Sequence, residues 1–342
     1  MCSCRVCSYA ASVLPSRTNA YAGSSCFVED TDSSQLYEFQ QVIADNMYGA
    51  GVYGSACWTT DATVSTNCLT PGHPASNAPA RGGSNPSRVL FLVGDSHSLA
   101  MVATFGAALV NSPFSLAYTA MSDGGGFQAD WPNPAPDCAP ATQRTCNRQT
   151  QLHHEANAPA WVAGVRLALD AQMQVGDVLA LVTAEWKFPH QAYIDLQRDF
   201  LRSIAQLAQR KGVKLLLVGD VPYLKDRGEN CLTSQTVANC DTPRGESVWY
   251  YWPANRREPN AVALHQAVDA MHTQVAAEYP STVTYLPVSW FYDKLCTATS
   301  CGAVVPGTST LAYLDANHLS TAGSLYLAPF MNCYLSDQGL LT

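Results

Sequence analysis

Ser96 stands in the run Gly94-Asp95-Ser96-His97, directly after the apolar stretch Val89 to Val93. A serine hydroxyl is a poor nucleophile until a base takes its proton, so the rest of the chain must supply one. Far downstream, Asp315 precedes His318 by three residues in Tyr313-Leu314-Asp315-Ala316-Asn317-His318-Leu319-Ser320. At that spacing a carboxylate reaches the ring Nδ1–H of the histidine on one turn. The contact fixes the tautomer and leaves Nε2 to accept the serine proton. Serine, histidine and aspartate in these roles perform nucleophilic acyl chemistry. The surroundings of Ser96 differ from the G-x-S-x-G elbow of α/β-hydrolases.

The elements around these residues read as an alternating α/β chain. Val89 to Val93 is short, apolar and rich in β-favouring residues, as a buried strand is. Gly94 ends it, and Leu99, Val102, Phe105 and Leu109 follow a helical period. A serine on that strand-to-helix turn lies at the carboxyl edge of the sheet, where open α/β sheets place ligands. Its backbone N–H is well placed for a developing oxyanion. Further strands are expected at Ser115–Thr119, Val178–Val182, Val213–Val218 and Val283–Leu286. Helices are expected at 34–46, 160–174, 191–210 and 261–278, with a closing helix capped by Ser320 or Thr321. Strand, helix and strand in this rhythm predict parallel crossovers. The expected fold is a three-layer α/β/α sandwich with a parallel sheet of about five strands.

Together, G-D-S-H and D-x-x-H-L-S resemble the first and last sequence blocks of the SGNH (GDSL-type) hydrolase superfamily. The resemblance is narrower still to the SGNH domain associated with membrane acyltransferases that O-acetylate surface polysaccharides. Cys296 and Cys301, shortly before the second block, strengthen that match, which runs from about Arg88 to Tyr334. It implies Ser96 as nucleophile, His318 as base and Asp315 as orienting acid. It also implies an oxyanion hole from the Ser96 N–H and a glycine after the second strand. Gly124, Gly125 and Gly126 all qualify, since glycine lets a backbone approach the reacting centre closely; a flexible loop is the competing reading. Where the superfamily presents an asparagine, this chain has Thr183-Ala184-Glu185-Trp186-Lys187. The indole N–H of Trp186 is a substitute donor; a buried structural tryptophan is the competing reading. The substrate class implied is carbohydrate O-acyl groups, with a membrane acyltransferase as partner or missing fused domain.

The irregular segment 222–260 carries Trp249, Tyr250, Tyr251 and Trp252, a platform for stacking on sugar rings or a cluster that packs the loop on the core. A non-catalytic carbohydrate-binding module with this fold is therefore the second reading. His153-His154-Glu155 reads as solvated surface, because no further ligand stands at helical spacing. Neither a metal nor a cofactor is expected. Net charge of −8 argues against nucleic acid as the main partner.

The 13 cysteines include four close pairs: Cys57/Cys68, Cys138/Cys146, Cys231/Cys240 and Cys296/Cys301. Disulfide-closed loops in a secreted, periplasmic or lumenal protein explain them better than zinc does. Residues 1–21 lack the continuous apolar core of a signal peptide and read as a disordered leader. Residues 22–86 read as a cysteine-containing extension, in which 70–87 is a linker or surface loop. Residues 87–342 form the catalytic domain.

Overall fold

The computed structural model describes residues 57, 66–82, 88–121, 127, 148–185, 191–224, 242–244, 261–308, 311–313 and 317–342. Five strands form one parallel sheet: β1 (Arg88–Gly94), β2 (Phe114–Ala120), β3 (Val178–Val182), β4 (Lys214–Val218) and β6 (Val283–Leu286). Their order is β2-β1-β3-β4-β6. A two-residue β5 (Thr242–Pro243) pairs antiparallel with β7 (Ser300–Cys301) beside the main sheet. The chain leaves β1 toward β2 on one side and returns to β3 on the other. The switch in direction opens a crevice at the carboxyl ends of β1 and β3.

Side chains of β1 alternate between two cores. Leu90 and Leu92 pack with Phe105, Phe291, Leu327 and Met331 on one face. Val89, Phe91 and Val93 pack with Trp161, Val165, Ile204 and Met271 on the other. The two-residue period of a strand thus divides one apolar run between two helical layers. The first layer comprises α1 (Ser96–Ala100), α2 (Val102–Ala108), α6 (Val288–Leu295) and α7 (Thr321–Asp337). The second comprises α3 (Arg148–Gln172), α4 (Gln191–Lys211) and α5 (Ala261–Glu278). This is the expected three-layer arrangement with five parallel strands.

Several details differ from the sequence reading. The apolar period after Ser96 is split by Met101 into α1 and α2. Helix α3 begins twelve residues before Ala160 and carries Pro159 within it. That stretch lacks apolar periodicity, so tertiary context rather than patterning makes it helical. Segment 66–82 packs closely on the domain: Leu69 and Ala78 are buried in the second core. Arg81 donates two hydrogen bonds to Asp177, at 3.0 and 2.6 Å. Asp177 also accepts from the backbone N–H groups of Val89 and Gln174. Proline and glycine shape this loop, while its few apolar residues seal the sheet. Cys57–Cys68 and Cys296–Cys301 are disulfides; Cys138, Cys146, Cys231 and Cys240 lie outside the described residues. Among the described residues, no helix is long and apolar enough to cross a membrane.

Candidate active site

Ser96 owes its position to the end of β1. A Cβ on Gly94 would lie 1.8 Å from the carbonyl oxygen of Val182, so only glycine lets β1 and β3 finish this close together. Asp95 is fully buried and caps α1, accepting from the His97 N–H at 2.9 Å. Its other oxygen accepts from the Ala184 N–H at 2.8 Å, which ties the turn to the exit of β3. Ser98 Oγ closes the turn by donating to the Asp95 carbonyl at 2.7 Å. Ser96 opens the helix and remains partly exposed, as a nucleophile must be.

His318 arrives from the opposite end of the sequence. Its loop is closed at the neck by a bridge between Tyr313 and Leu319 and by the Ser320 N–H donating to Ala312 at 3.0 Å. Ser320 then caps α7 by accepting from the Gly323 N–H at 2.9 Å. A Cβ on Gly323 would lie 2.3 Å from the Ala312 carbonyl oxygen, so glycine is required for that neck. Helix α7 is joined to α2 by a buried exchange between Thr104 and Ser324. The Thr104 N–H donates to Ser324 Oγ at 2.9 Å, and Thr104 Oγ1 donates to the Ser324 carbonyl at 2.8 Å. These contacts bring the two loops together, with His318 Nε2 2.8 Å from Ser96 Oγ. At that distance the ring nitrogen can receive the hydroxyl proton.

A buried polar layer lies beneath this pair. His97 Nδ1 is 2.6 Å from Asp220 Oδ1, and both side chains are nearly inaccessible. Asp220 follows β4 and accepts from the Val221 N–H at 2.8 Å and the Glu185 N–H at 2.9 Å. The Tyr223 hydroxyl also donates to it. Burial and the Asp220 carboxylate push the Tyr223 phenol well above its ordinary range, so it remains a donor. Glu185 Oε2 meets His265 Nδ1 at 2.5 Å. Burial works most strongly against the charged His265 ring, but the carboxylates of Glu185, Asp269 and Asp220 together outweigh it and the pKa rises. Farther along α5, burial alone lowers His272 to about 4.

Of the residues singled out from sequence, Ser96 and His318 meet directly. Asp315, Gly124, Gly125, Gly126, Trp186, Trp249, Tyr250, Tyr251 and Trp252 lie outside the described residues. So do the side chains of His153, His154 and Glu155. Sequence reasoning overlooked Asp220, His97 and the Glu185–His265 pair. A signal was present: Val218-Gly219-Asp220 repeats the Val93-Gly94-Asp95 ending of β1. Both aspartates sit at carboxyl ends of the two strands that flank β3, and they accept the consecutive N–H groups of Ala184 and Glu185 at its exit.

The fold resembles that of the periplasmic domain of a lipopolysaccharide acetyltransferase from Salmonella ser. Paratyphi A. The TM-score is 0.53 at 14% identity, over 88% of this chain and 99% of that one. Among curated proteins, none matches the chain. The family described as "SGNH domain (fused to AT3 domains)" matches residues 57–332. That span takes in both loops of the Ser96–His318 pair and the packed segment before β1, and the chain belongs to this SGNH family.

Proposed function

We propose that this chain is a serine-dependent O-acyl esterase or acyltransferase acting on carbohydrate, with acetyl as the acyl group. The observation that carries the reading is the 2.8 Å approach of His318 Nε2 to Ser96 Oγ at the carboxyl edge of the sheet. His318 takes the hydroxyl proton while Ser96 Oγ forms a bond to the ester carbonyl carbon. The tetrahedral oxyanion is held by the Ser96 N–H and by one of Gly124, Gly125 or Gly126, with Trp186 as a further donor. The carbon–oxygen bond to the leaving alcohol then breaks, and His318 returns the proton to that oxygen. Water or a sugar hydroxyl next loses its proton to His318 and attacks the acyl-Ser96 carbonyl; the carbon–Oγ bond then breaks and His318 returns the proton to Ser96 Oγ. Asp315 orients the His318 ring throughout.

Membership of a family fused to AT3 domains supports a membrane acyltransferase as the working partner. The similar Salmonella fold is the periplasmic part of a lipopolysaccharide acetyltransferase, which supports carbohydrate as acceptor. Two disulfides support an extracytoplasmic place of work. Trp249, Tyr250, Tyr251 and Trp252 are proposed to stack on the sugar.

Ser96→Ala tests the mechanism. Hydrolysis of p-nitrophenyl acetate should fall by at least about 10³-fold with the fold retained, and labelling by a fluorophosphonate probe should vanish. Turnover within about tenfold of the parent would remove Ser96 from the mechanism and favour a binding module. Adding an acetylated or free sugar then separates transfer from hydrolysis by whether acetate or acetyl-sugar accumulates.

A further inference from the structure

The base has a wall behind it. The rings of His97 and His318 lie 4.7 Å apart between centroids, inclined at 52°. His97 follows the nucleophile in sequence, yet its side chain turns inward and is buried. Its Nδ1 is held at 2.6 Å by Asp220. Asp220 is itself tied to three places: the Val221 backbone after β4, the Glu185 backbone after β3, and the Tyr223 hydroxyl. Both oxygens of Asp220 accept from backbone N–H groups, which cannot act as acceptors. The carboxylate is thus set as an acceptor, and His97 Nδ1 carries the proton toward it. The ring therefore has a fixed tautomer and a fixed plane, both set by strands rather than by the mobile part of a side chain. The Tyr223 ring flanks it, 5.9 Å away.

We propose that His97, anchored by Asp220, is the positioning residue of the general base. It provides the rigid face on which the His318 ring rests, so that Nε2 meets Ser96 Oγ without a search through rotamers. This rests on the reading of Ser96 and His318 given above. His97 acts through His318 and need not touch substrate. A second histidine–aspartate couple thus serves the first as its support. Geometry of this kind matters steeply, since displacement of a reacting group by about 1 Å costs on the order of a hundredfold in rate.

Two substitutions separate the parts of His97. His97→Asn keeps an amide N–H where Nδ1–H stood, so the hydrogen bond to Asp220 survives and the ring is lost. His97→Phe keeps a ring and loses the hydrogen bond. With p-nitrophenyl acetate and active sites counted by titration, His97→Asn should lower kcat about ten- to a hundredfold, with KM nearly unchanged. Fluorophosphonate labelling of Ser96 should slow in parallel. His97→Phe should recover part of the loss.

A merely structural His97 makes a different forecast: thermal stability falls, and kcat per titrated site stays at the parent value. That result overturns the proposal, as does His97→Phe being no better than His97→Asn. Should either variant fail to fold, Tyr223→Phe loosens the same anchor more gently. It should lower kcat severalfold, and an unchanged kcat overturns the proposal. The Ser96 reading fails separately, when Ser96→Ala keeps parental turnover. In that event the ring-nitrogen NMR signal of His318 Nε2 still decides. A shift in His97→Asn supports the proposal, and an unmoved signal refutes it.

Discussion

Buried carboxylates fasten loops at both edges of the sheet, and two of them, Asp177 and Asp220, are satisfied in different ways. At the amino edge, Asp177 is paired with the Arg81 guanidinium through both oxygens and with the N–H groups of Val89 and Gln174. At the carboxyl edge, Asp220 accepts from the Val221 and Glu185 N–H groups, a phenol and an imidazole. Both carboxylates fasten loops to strand ends. The amino-edge pair neutralises its charge with a permanent cation, so it is a clamp that joins segment 66–82 to β1 and β3. The carboxyl-edge carboxylate has a titratable ring and a phenol among its partners, directly under the candidate site. A carboxylate balanced by arginine is costly to unpair; one that holds an imidazole also orients it.

Substitutions at the two edges should therefore differ in kind. Arg81→Met should have the largest effect on stability, about 3–5 kcal/mol, because it strands the buried Asp177 charge. Urea unfolding measures this, and turnover per folded molecule should match the parent. A drop in turnover after correction for unfolded protein would erase the distinction between clamp and site support. Tyr223→Phe should be milder, about 0.5–1.5 kcal/mol for one hydrogen bond, since Asp220 keeps its remaining donors. Its accompanying loss of kcat is the contrast with Arg81→Met. Equal kcat in both variants would mean that the two edges serve the same purpose.

The smallest effect concerns pH. Glu185 lends its N–H to Asp220 and its carboxylate to His265, whose pKa is raised in the folded state. A raised folded pKa stabilises the protein while the ring is charged. The contribution is complete below the unfolded value near ~6.5 and is lost as pH rises through the folded value. His265→Gln should flatten that part of the stability–pH curve above about 6.5, measured by thermal melts across the range. If the mutant keeps the parental slope, the Glu185–His265 pair does not couple to folding.

Local chemistry explains which parts of this molecule could be read in advance. Val178–Val182 and Val283–Leu286 match the observed strands, because short runs of buried apolar residues admit few alternatives. Of the two caps that position before α7 suggested, Ser320 and Thr321, Ser320 is the one observed. Helix α3 was legible only from Ala160 onward, where apolar residues recur; its first half has no such stripe. The packed course of segment 66–82 was hidden for a related reason. Pro and Gly reveal turns, yet the burial of Ala78 and the Arg81–Asp177 pair depend on a surface made by distant residues.

By itself, the order of residues determined the α/β rhythm, the five-stranded parallel sheet and the two loops from which Ser96 and His318 come. Backbone sterics and apolar periodicity act over a few residues, so they leave a local record. Only the tertiary structure decided that His318 Nε2 lies 2.8 Å from Ser96 Oγ across 222 positions of chain. It alone placed the His97 ring under His318 and drew Asp220 and Glu185 into one buried layer. Those contacts arise where strand ends converge, and no local spacing encodes a distance between residues brought together by packing. Polar groups are buried only when partners satisfy them, and here the partners come from four separate stretches of sequence.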